Sequence, residues 1–364
     1  MTRILCMAGI MNTGGAETML MKLYREVNRK QVQFDFLVFS SKQGFYDEEI
    51  TALGGNIYCL GEISLLKHPF LRLQGIYDFF RTHKYYHVLI STEQAHIAIF
   101  ALMAKLAGVK NIAIRSTNSS ACRGKWFDRL ERCLKFIPCL SSDVRFAPSI
   151  LAANFLFGKN KNVHILHNGI KISDFSFQST IRNMTRESFN VKDRILFGHI
   201  GRFTYQKNHI FLLKVYSEII RLNPKVSFLL IGVGELFDEI KMQAADMGIV
   251  DNIIFAGIRQ DVSNCFMAMD GMIFPSLFEG MPNVVIEAQA TGLPCLIADT
   301  ITKECQITDI VEFMSLQDEP VRWALKALEM TNKQSNREEY ADKMKNAGYD
   351  ISDVACEFLK NMNI

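Results

Sequence analysis

The chain has 364 residues, 49% of them hydrophobic and 22% charged, with a formal net charge of +3. That leaves room for about two ordinary domains with large cores, and it excludes a disordered or collagen-like chain. No run reaches the ~18 apolar residues that a bilayer crossing needs; the longest, "IAIFALMA" (Ile97–Ala104), stops at Lys105. Nine cysteines occur without any Cys-x-x-Cys pair, a pattern that predicts free core thiols in a reducing cytosol rather than a disulfide framework or a zinc site. The charge is unevenly spread. Residues 1–168 hold 21 Lys and Arg against 12 Asp and Glu, a balance of +9, and residues 169–364 hold 20 against 26, a balance of −6.

Read from the start, "MTRILCMAGIMNTGG" has a basic residue and an apolar run. Gly9 interrupts the run and no small-residue cleavage pattern follows, so it reads as a first β-strand rather than a secretion signal. Further strands are expected at Phe34–Ser40, Asn56–Leu60, Val88–Thr92, Asn111–Arg115, Arg145–Ala147 and Val163–Leu166. After these come Ile195–Ile200, Val226–Ile231, Asn252–Phe255, Gly271–Phe274, Pro294–Ala298 and Ile310–Met314. Helical patterns separate most of them, among them Ala16–Asn28, Ala95–Leu106, His209–Leu222 and Pro282–Thr291. Such alternation predicts an α/β protein with parallel sheets covered on both faces. Thirteen strands exceed the ~10 that one open sheet comfortably holds, so two doubly wound domains are expected, 1–170 and 171–345. The boundary follows "HILHNGI", and 346–364 forms a closing helix expected to return to the first domain.

Open α/β sheets bind ligands beyond the carboxyl ends of their strands, and three loops of the second half sit there. In "GHIGRFTYQKNH", Arg202 and Lys207 flank the turn into a helix, a natural pocket for phosphate oxygens or two solvated surface charges. In "FLLIGVGELF", Gly232 and Gly234 allow a tight turn and close approach to a flat ligand, without completing a dinucleotide fingerprint. In "FEGMPNVVIEAQATGLP", Pro282 suits a first helical turn, and the amides around Gly280, Met281 and Asn283 precede the helix. Glu279 stands at its mouth. Glu287 falls within an apolar run, where a carboxylate costs several kcal/mol unless hydrogen-bonded; ligand hydroxyls, or a core arginine, would supply the donors.

In the first half, Gly14 and Gly15 open a helix after the first strand. "CRGKWFDRLERCLKFIP" sets Arg123, Lys125, Arg129, Arg132 and Lys135 beside Trp126, Leu130, Leu134 and Phe136. It reads as an amphipathic helix packed on its own core, with a membrane-surface helix as the alternative. His164 and His167 read as structural. No Asp-x-Asp, His-Glu-x-x-His, Walker loop or Gly-x-Ser-x-Gly occurs.

Taken in order, Gly14-Gly15, "HNGI", "GRFTYQKN", "GVGEL", "FAGIRQDV" and Glu279-x7-Glu287 resemble the retaining glycosyltransferases of family 4, nearly end to end, and especially members that build bacterial capsules or exopolysaccharides. The resemblance implies the GT-B fold, two Rossmann-like doubly wound domains facing across a cleft. It also implies a nucleotide-sugar donor, uridine being the commonest base, and a lipid-linked or growing glycan acceptor. The transfer would retain anomeric configuration without a metal or other cofactor, in the cytoplasm at the inner membrane face. Peripheral contact would run through the basic first domain, and no nucleic acid would be bound. Arg202 and Lys207 would hold the diphosphate, Glu287 the ribose, and Glu279 with the amides of Gly280, Met281 and Asn283 the transferred sugar. Gly234 and the backbone near Arg259 would line the base, and Gly14 and Gly15 would approach the donor. The family implies front-face displacement, with the leaving phosphate taking the acceptor's proton. Relatives often carry histidines after the fourth and fifth strands; Ile90, Thr92, Arg115 and Thr117 stand there in this chain, which leaves Glu93, His96 and Arg115 as acceptor-side candidates. The alternatives are a sugar-nucleotide epimerase of similar shape and a non-catalytic sugar-nucleotide-binding subunit.

Overall fold

A computed structural model describes residues 1–62, 67–117, 131, 133–159, 161–332 and 336–364. Its contacts divide the chain into two compact units, Met1–Ile170 with Gly348–Ile364, and Lys171–Ala347. The first unit holds β1 (Thr2–Ala8), β2 (Val32–Val38), β3 (Ile57–Cys59), β4 (His87–Thr92), β5 (Asn111–Ser116), β6 (Val144–Ala147) and β7 (His164–Ile165), in the sheet order β3-β2-β1-β4-β5-β6-β7. The second holds β8 (Ile195–Ile200), β9 (Val226–Ile231), β10 (Ile253–Phe255), β11 (Gly271–Phe274), β12 (Cys295–Ala298) and β13 (Val311–Met314), in the order β10-β9-β8-β11-β12-β13. Every pairing in both sheets is parallel. Among the described residues no helix is long and apolar enough to cross a membrane.

The strands are near-continuous aliphatic runs because both of their faces are covered. In β1, Ile4 and Cys6 face a core built with Phe34, Phe36, helix Gly15–Glu26 and helix Ile351–Asn361, while Leu5 and Met7 face one built with Ile76, Phe79, Phe80 and Phe100. The period-2 alternation of a strand distributes one run to two cores. Each sheet reverses its winding at one place, between β1 and β4 in the first unit and between β8 and β11 in the second. There the loops leaving the strands part to opposite sides and open a crevice.

The closing helix is held to the first unit by specific contacts. The amide of Ile170 donates to the Tyr349 carbonyl, and the amide of Ile351 donates to the Ile170 carbonyl, both at 2.9 Å. His167 stacks on Tyr349 with ring centres 4.3 Å apart. Gly169 has no room for a side chain, since a Cβ there would lie 2.9 Å from the Ile351 Cα. Phe358, fully buried, meets the rings of Phe34 and Phe146. In the second unit, the guanidinium of Arg337 lies 4.4 Å above the Phe177 ring and donates to the carbonyls of Phe266, Met269 and Thr291. Burial pulls its pKa down to about 9.

Most of the basic stretch Arg123–Arg132 lies outside the described residues; Lys135 is described, with its ammonium 5.0 Å from the Phe155 ring centre. Removing a fully buried aromatic ring leaves a cavity and costs about 3–5 kcal/mol. Phe358→Ala should therefore lower the denaturant midpoint of the first unit, read by equilibrium urea unfolding. An unchanged midpoint would show that the closing helix contributes nothing to that core.

Candidate functional site

The crevice between β8 and β11 is built by two loops that hydrogen-bond to each other. The amide of Leu277 donates to the Gln206 carbonyl at 2.8 Å, Gln206 Nε2 donates to the Phe278 carbonyl at 2.8 Å, and Asn208 Nδ2 donates to the Pro275 carbonyl at 3.2 Å. Asn208 is left-handed, with φ +55°, a conformation asparagine tolerates better than most residues. From it the chain enters helix His209–Leu222. At the centre, Lys207 Nζ donates to Glu279 Oε1 at 2.6 Å and lies 4.5 Å from the centre of the Phe274 ring. Gly201 leaves space for the lysine stem, since a Cβ there would lie 3.0 Å from Lys207 Cε. An ammonium has three donors, so Lys207 can hold Glu279 and still donate to another acceptor. Arg202 is exposed on the same loop and has no carboxylate partner among the described residues.

The glycines expected to admit a flat ligand are required by the protein itself. Gly232, with φ +138°, lies so close to the preceding loop that a Cβ would sit 2.1 Å from the Gly201 carbonyl oxygen. At Gly234 a Cβ would be 2.4 Å from the Phe203 carbonyl oxygen. The β9 loop is thereby locked onto the β8 loop, and the amide of Gly232 extends the link to the Gly257 carbonyl. Arg259, two residues on, makes a bidentate pair with Asp261 at 2.8 and 2.6 Å.

Helix Asn283–Ala290 follows the β11 loop; Pro282 is its cap rather than its first helical residue. Gly280, Met281 and Asn283 are half-buried at its start. Glu287 was expected among buried neighbours but is itself half-buried. The deeply buried polar side chain of this helix is Gln289, which donates to the Val285 and Cys305 carbonyls and accepts from the amides of Ile307 and Thr308.

Two histidines not singled out from the sequence lie beneath the Lys207 loop. His199 Nδ1 bonds the Ile273 carbonyl and its ring stacks on Phe274. His209 stacks on Phe203 at 4.1 Å and meets His199 edge-on at 4.8 Å. His199 Nε2 and both nitrogens of His209 are buried without a hydrogen-bond partner among the described residues. Burial first, then the neighbouring His209 charge, pushes His199 well below the usual histidine range; burial first, then Lys207, brings His209 down to about 4.

In the first unit, the β1–β4 crevice is a hollow of about 580 Å³ whose walls include Gly9, Glu17, Phe39, Arg72, Thr92, Glu93, Gln94, His96 and Thr117. It gathers two of the three acceptor-side candidates. His96 Nδ1 is bonded to the Glu131 carboxylate, which also accepts from the Ala95 amide. Arg115 is not in the wall: it is almost wholly buried and donates to Asn168 Oδ1 at 2.5 Å, and burial lowers its pKa to about 10. Gly14 caps helix Gly15–Glu26, and the Glu17 carboxylate occupies the space its Cβ would take. Gly15 has open space around it. Nothing in the spacing of Arg72 and Glu17 separates them in the sequence from other polar positions of amphipathic helices.

The depressed histidines imply a pH dependence. The unfolded chain binds more protons than the folded one between the depressed values and ~6.5, so stability is complete above that window and falls as pH drops through it. Urea midpoints measured from pH 7 to pH 4 should fall accordingly, with His209 accounting for up to about 3 kcal/mol. His209→Phe should flatten the slope; an equally steep slope in that variant would place the acid sensitivity elsewhere.

Residues 194–332 match the family described as glycosyl transferases group 1. EpsF of Bacillus subtilis (strain 168), a protein named as a glycosyltransferase, is 32% identical over 330 residues, 88% of this chain and 86% of its own. An Escherichia coli protein named as a UDP-Gal:α-D-GlcNAc-diphosphoundecaprenol α-1,3-galactosyltransferase is 26% identical over 76% of this chain and 74% of its own. Among solved structures, Anabaena HepE in complex with UDP superposes with a TM-score of 0.81 over the whole of both chains at 15% identity, a likeness of fold. Both sheets and the order of the elements agree with the GT-B architecture. The chain belongs to the group 1 glycosyl transferases and is a glycosyltransferase.

Proposed function

We propose that the chain moves a sugar, with retention, from a uridine diphosphate sugar to a lipid-linked or growing polysaccharide acceptor at the inner face of the membrane. The observation that carries this reading is the junction of the β8 and β11 loops, where Lys207 bonds Glu279 and the exposed Arg202 stands on the same loop as Lys207. The UDP bound to HepE and the diphosphoundecaprenol acceptor in the E. coli relative's name support the donor and acceptor classes.

Arg202 and the free donors of Lys207 would take the diphosphate. They would stabilise the charge that grows on it as the glycosidic bond breaks, which is commonly the largest catalytic term. The leaving phosphate would take the acceptor's proton. Glu279 is anchored by Lys207, so sugar recognition and leaving-group stabilisation are mechanically linked. With the amides of Gly280, Met281 and Asn283, Glu279 would hold the transferred sugar. Glu287, half-buried on the following helix, would accept from the ribose hydroxyls. Gly234 and the backbone near Arg259 would border the base. In this reading the two cations supply the neutralisation that a divalent metal supplies in other transferases, and the hollow lined by Glu93 and His96 takes the acceptor.

Membrane contact is part of the proposal. Phe70 and Leu71 of the first unit are exposed, and so are Phe136 and Leu140, which follow Lys135 in sequence; exposed apolar groups with a cation suit an anionic interface.

Three measurements test the reading. In a transfer assay containing EDTA, with UDP-sugars and a diphosphoundecaprenol-linked acceptor, wild type should turn over. Lys207→Ala should lose about 2–4 kcal/mol of transition-state stabilisation in kcat, and Glu287→Ala should weaken UDP binding in calorimetry. Turnover of donor alone would instead indicate an epimerase, and abolition by EDTA a missed metal. Separately, the protein should sediment with phosphatidylglycerol vesicles, and Phe70→Ser/Leu71→Ser should reduce the bound fraction. Absence of wild-type binding at low salt would exclude the membrane contact.

A further inference from the structure

Arg72 is a charged side chain, only 5% exposed, in the wall of the 580 Å³ hollow of the first unit. It sits on helix Pro69–Thr82, one turn from its start. Its guanidinium lies 4.1 Å from the centre of the Phe39 ring, which in turn packs on Phe100 at 5.4 Å. Nη1 donates to the Gly61 carbonyl at 2.9 Å and to the Leu60 carbonyl at 3.4 Å. The plane of the group is therefore fixed by an aromatic face below and a carbonyl pair at one corner. Both bonds use Nη1, and no carboxylate pairs with Arg72 among the described residues.

A guanidinium cannot shed its proton to escape burial, and a buried charge normally has a counter-charge. Among the described residues Arg72 has only carbonyl dipoles and a ring as partners. Burial lowers its pKa, the direction expected of a cation with no anion beside it. The acids around the hollow are engaged elsewhere. Glu17 is the third residue of helix Gly15–Glu26, and its carboxylate lies against the helix start beside Gly14, bonded to its own backbone. Glu131 is bonded to His96 and to the Ala95 amide. Glu93 also borders the hollow and has contacts of its own.

We propose that Arg72 recognises an anionic oxygen group, a phosphate or a carboxylate, on the acceptor that enters this hollow. The fork of N–H donors left beyond Nη1 matches two oxygens of such a group, and a pre-oriented guanidinium loses little freedom on binding. The inference rests on the reading of the hollow as the acceptor's place. It makes Arg72 a specificity residue that selects charged acceptors over neutral ones; it takes no part in the bond exchange.

Calorimetric titration of the full chain with three probes tests it: N-acetylglucosamine 1-phosphate, glucuronic acid and methyl N-acetylglucosaminide. Wild type should bind at least one charged probe at least tenfold more tightly than the neutral one, and which of the two separates phosphate from carboxylate. Arg72→Gln should abolish the preference, and Arg72→Lys, which keeps a point charge without the fork, should retain part of it. Both variants should bind UDP as wild type does. Equal wild-type affinity for all three probes overturns the proposal whether or not a variant folds, and so does an Arg72→Gln protein that melts lower yet keeps the preference, which would make the residue a strut between Leu60–Gly61 and its helix. Failure of wild type to bind UDP would count against the donor reading alone.

Discussion

The second unit depends on the contact between two loops at the place where its sheet changes direction. Strand order alone opens a crevice between β8 and β11, but an open crevice is only a gap. Backbone and amide bonds from Gln206 and Asn208 to the opposite loop close its floor, and the Lys207–Glu279 bond places opposite charges at its centre. Glycines support this arrangement in two ways: Gly201 leaves room for the stem of Lys207, and Gly232 and Gly234 let the β9 loop lie against the β8 loop where a side chain would collide. The β8 loop is thereby held on both sides by backbone contacts that leave no room for a side chain.

Beneath that floor the protein accepts an unfavourable arrangement. Two imidazoles sit in contact, with three ring nitrogens lacking partners among the described residues. Stacking on Phe203 and Phe274 offsets part of the cost. Their low proton affinity keeps them neutral beneath a lysine, where an additional positive charge would compete with Lys207 for Glu279. The same economy governs Arg337 and Arg72, whose charges are buried against carbonyls and rings instead of acids.

The strands were legible because parallel strands covered on both faces are written as short aliphatic runs between turn residues. Arg202, Lys207 and Glu279 were legible because charges at strand ends stand out from such runs. What stayed hidden follows from three-dimensional neighbours. Glu287 and Gln289 lie in one apolar run, but two residues apart on a helix means about 200° of rotation, and the buried face belongs to Gln289. Gly232 and Gly234 carry the same signature whether a ligand or another loop comes close. Arg115 and Arg72 are both buried arginines; only coordinates show that the first is tied to Asn168 and the second lines a hollow. His199 and His209 are ten residues apart, and nothing in that spacing announces that their rings touch.

The first unit is discontinuous in sequence, since its sheet is complete by Ile165 while the helix that covers one of its faces is Ile351–Asn361. A ribosome therefore delivers the whole of the second unit before the first can seal its core. During that interval Phe34 and Phe36 have the cover of Tyr24 from helix Gly15–Glu26, while Phe34 and Phe146 still lack that of Phe358, so this core stays partly open to water. A premature stop between Ala347 and Ile351 would keep every residue of the second unit and strip one face of the first unit's sheet of its closing helix.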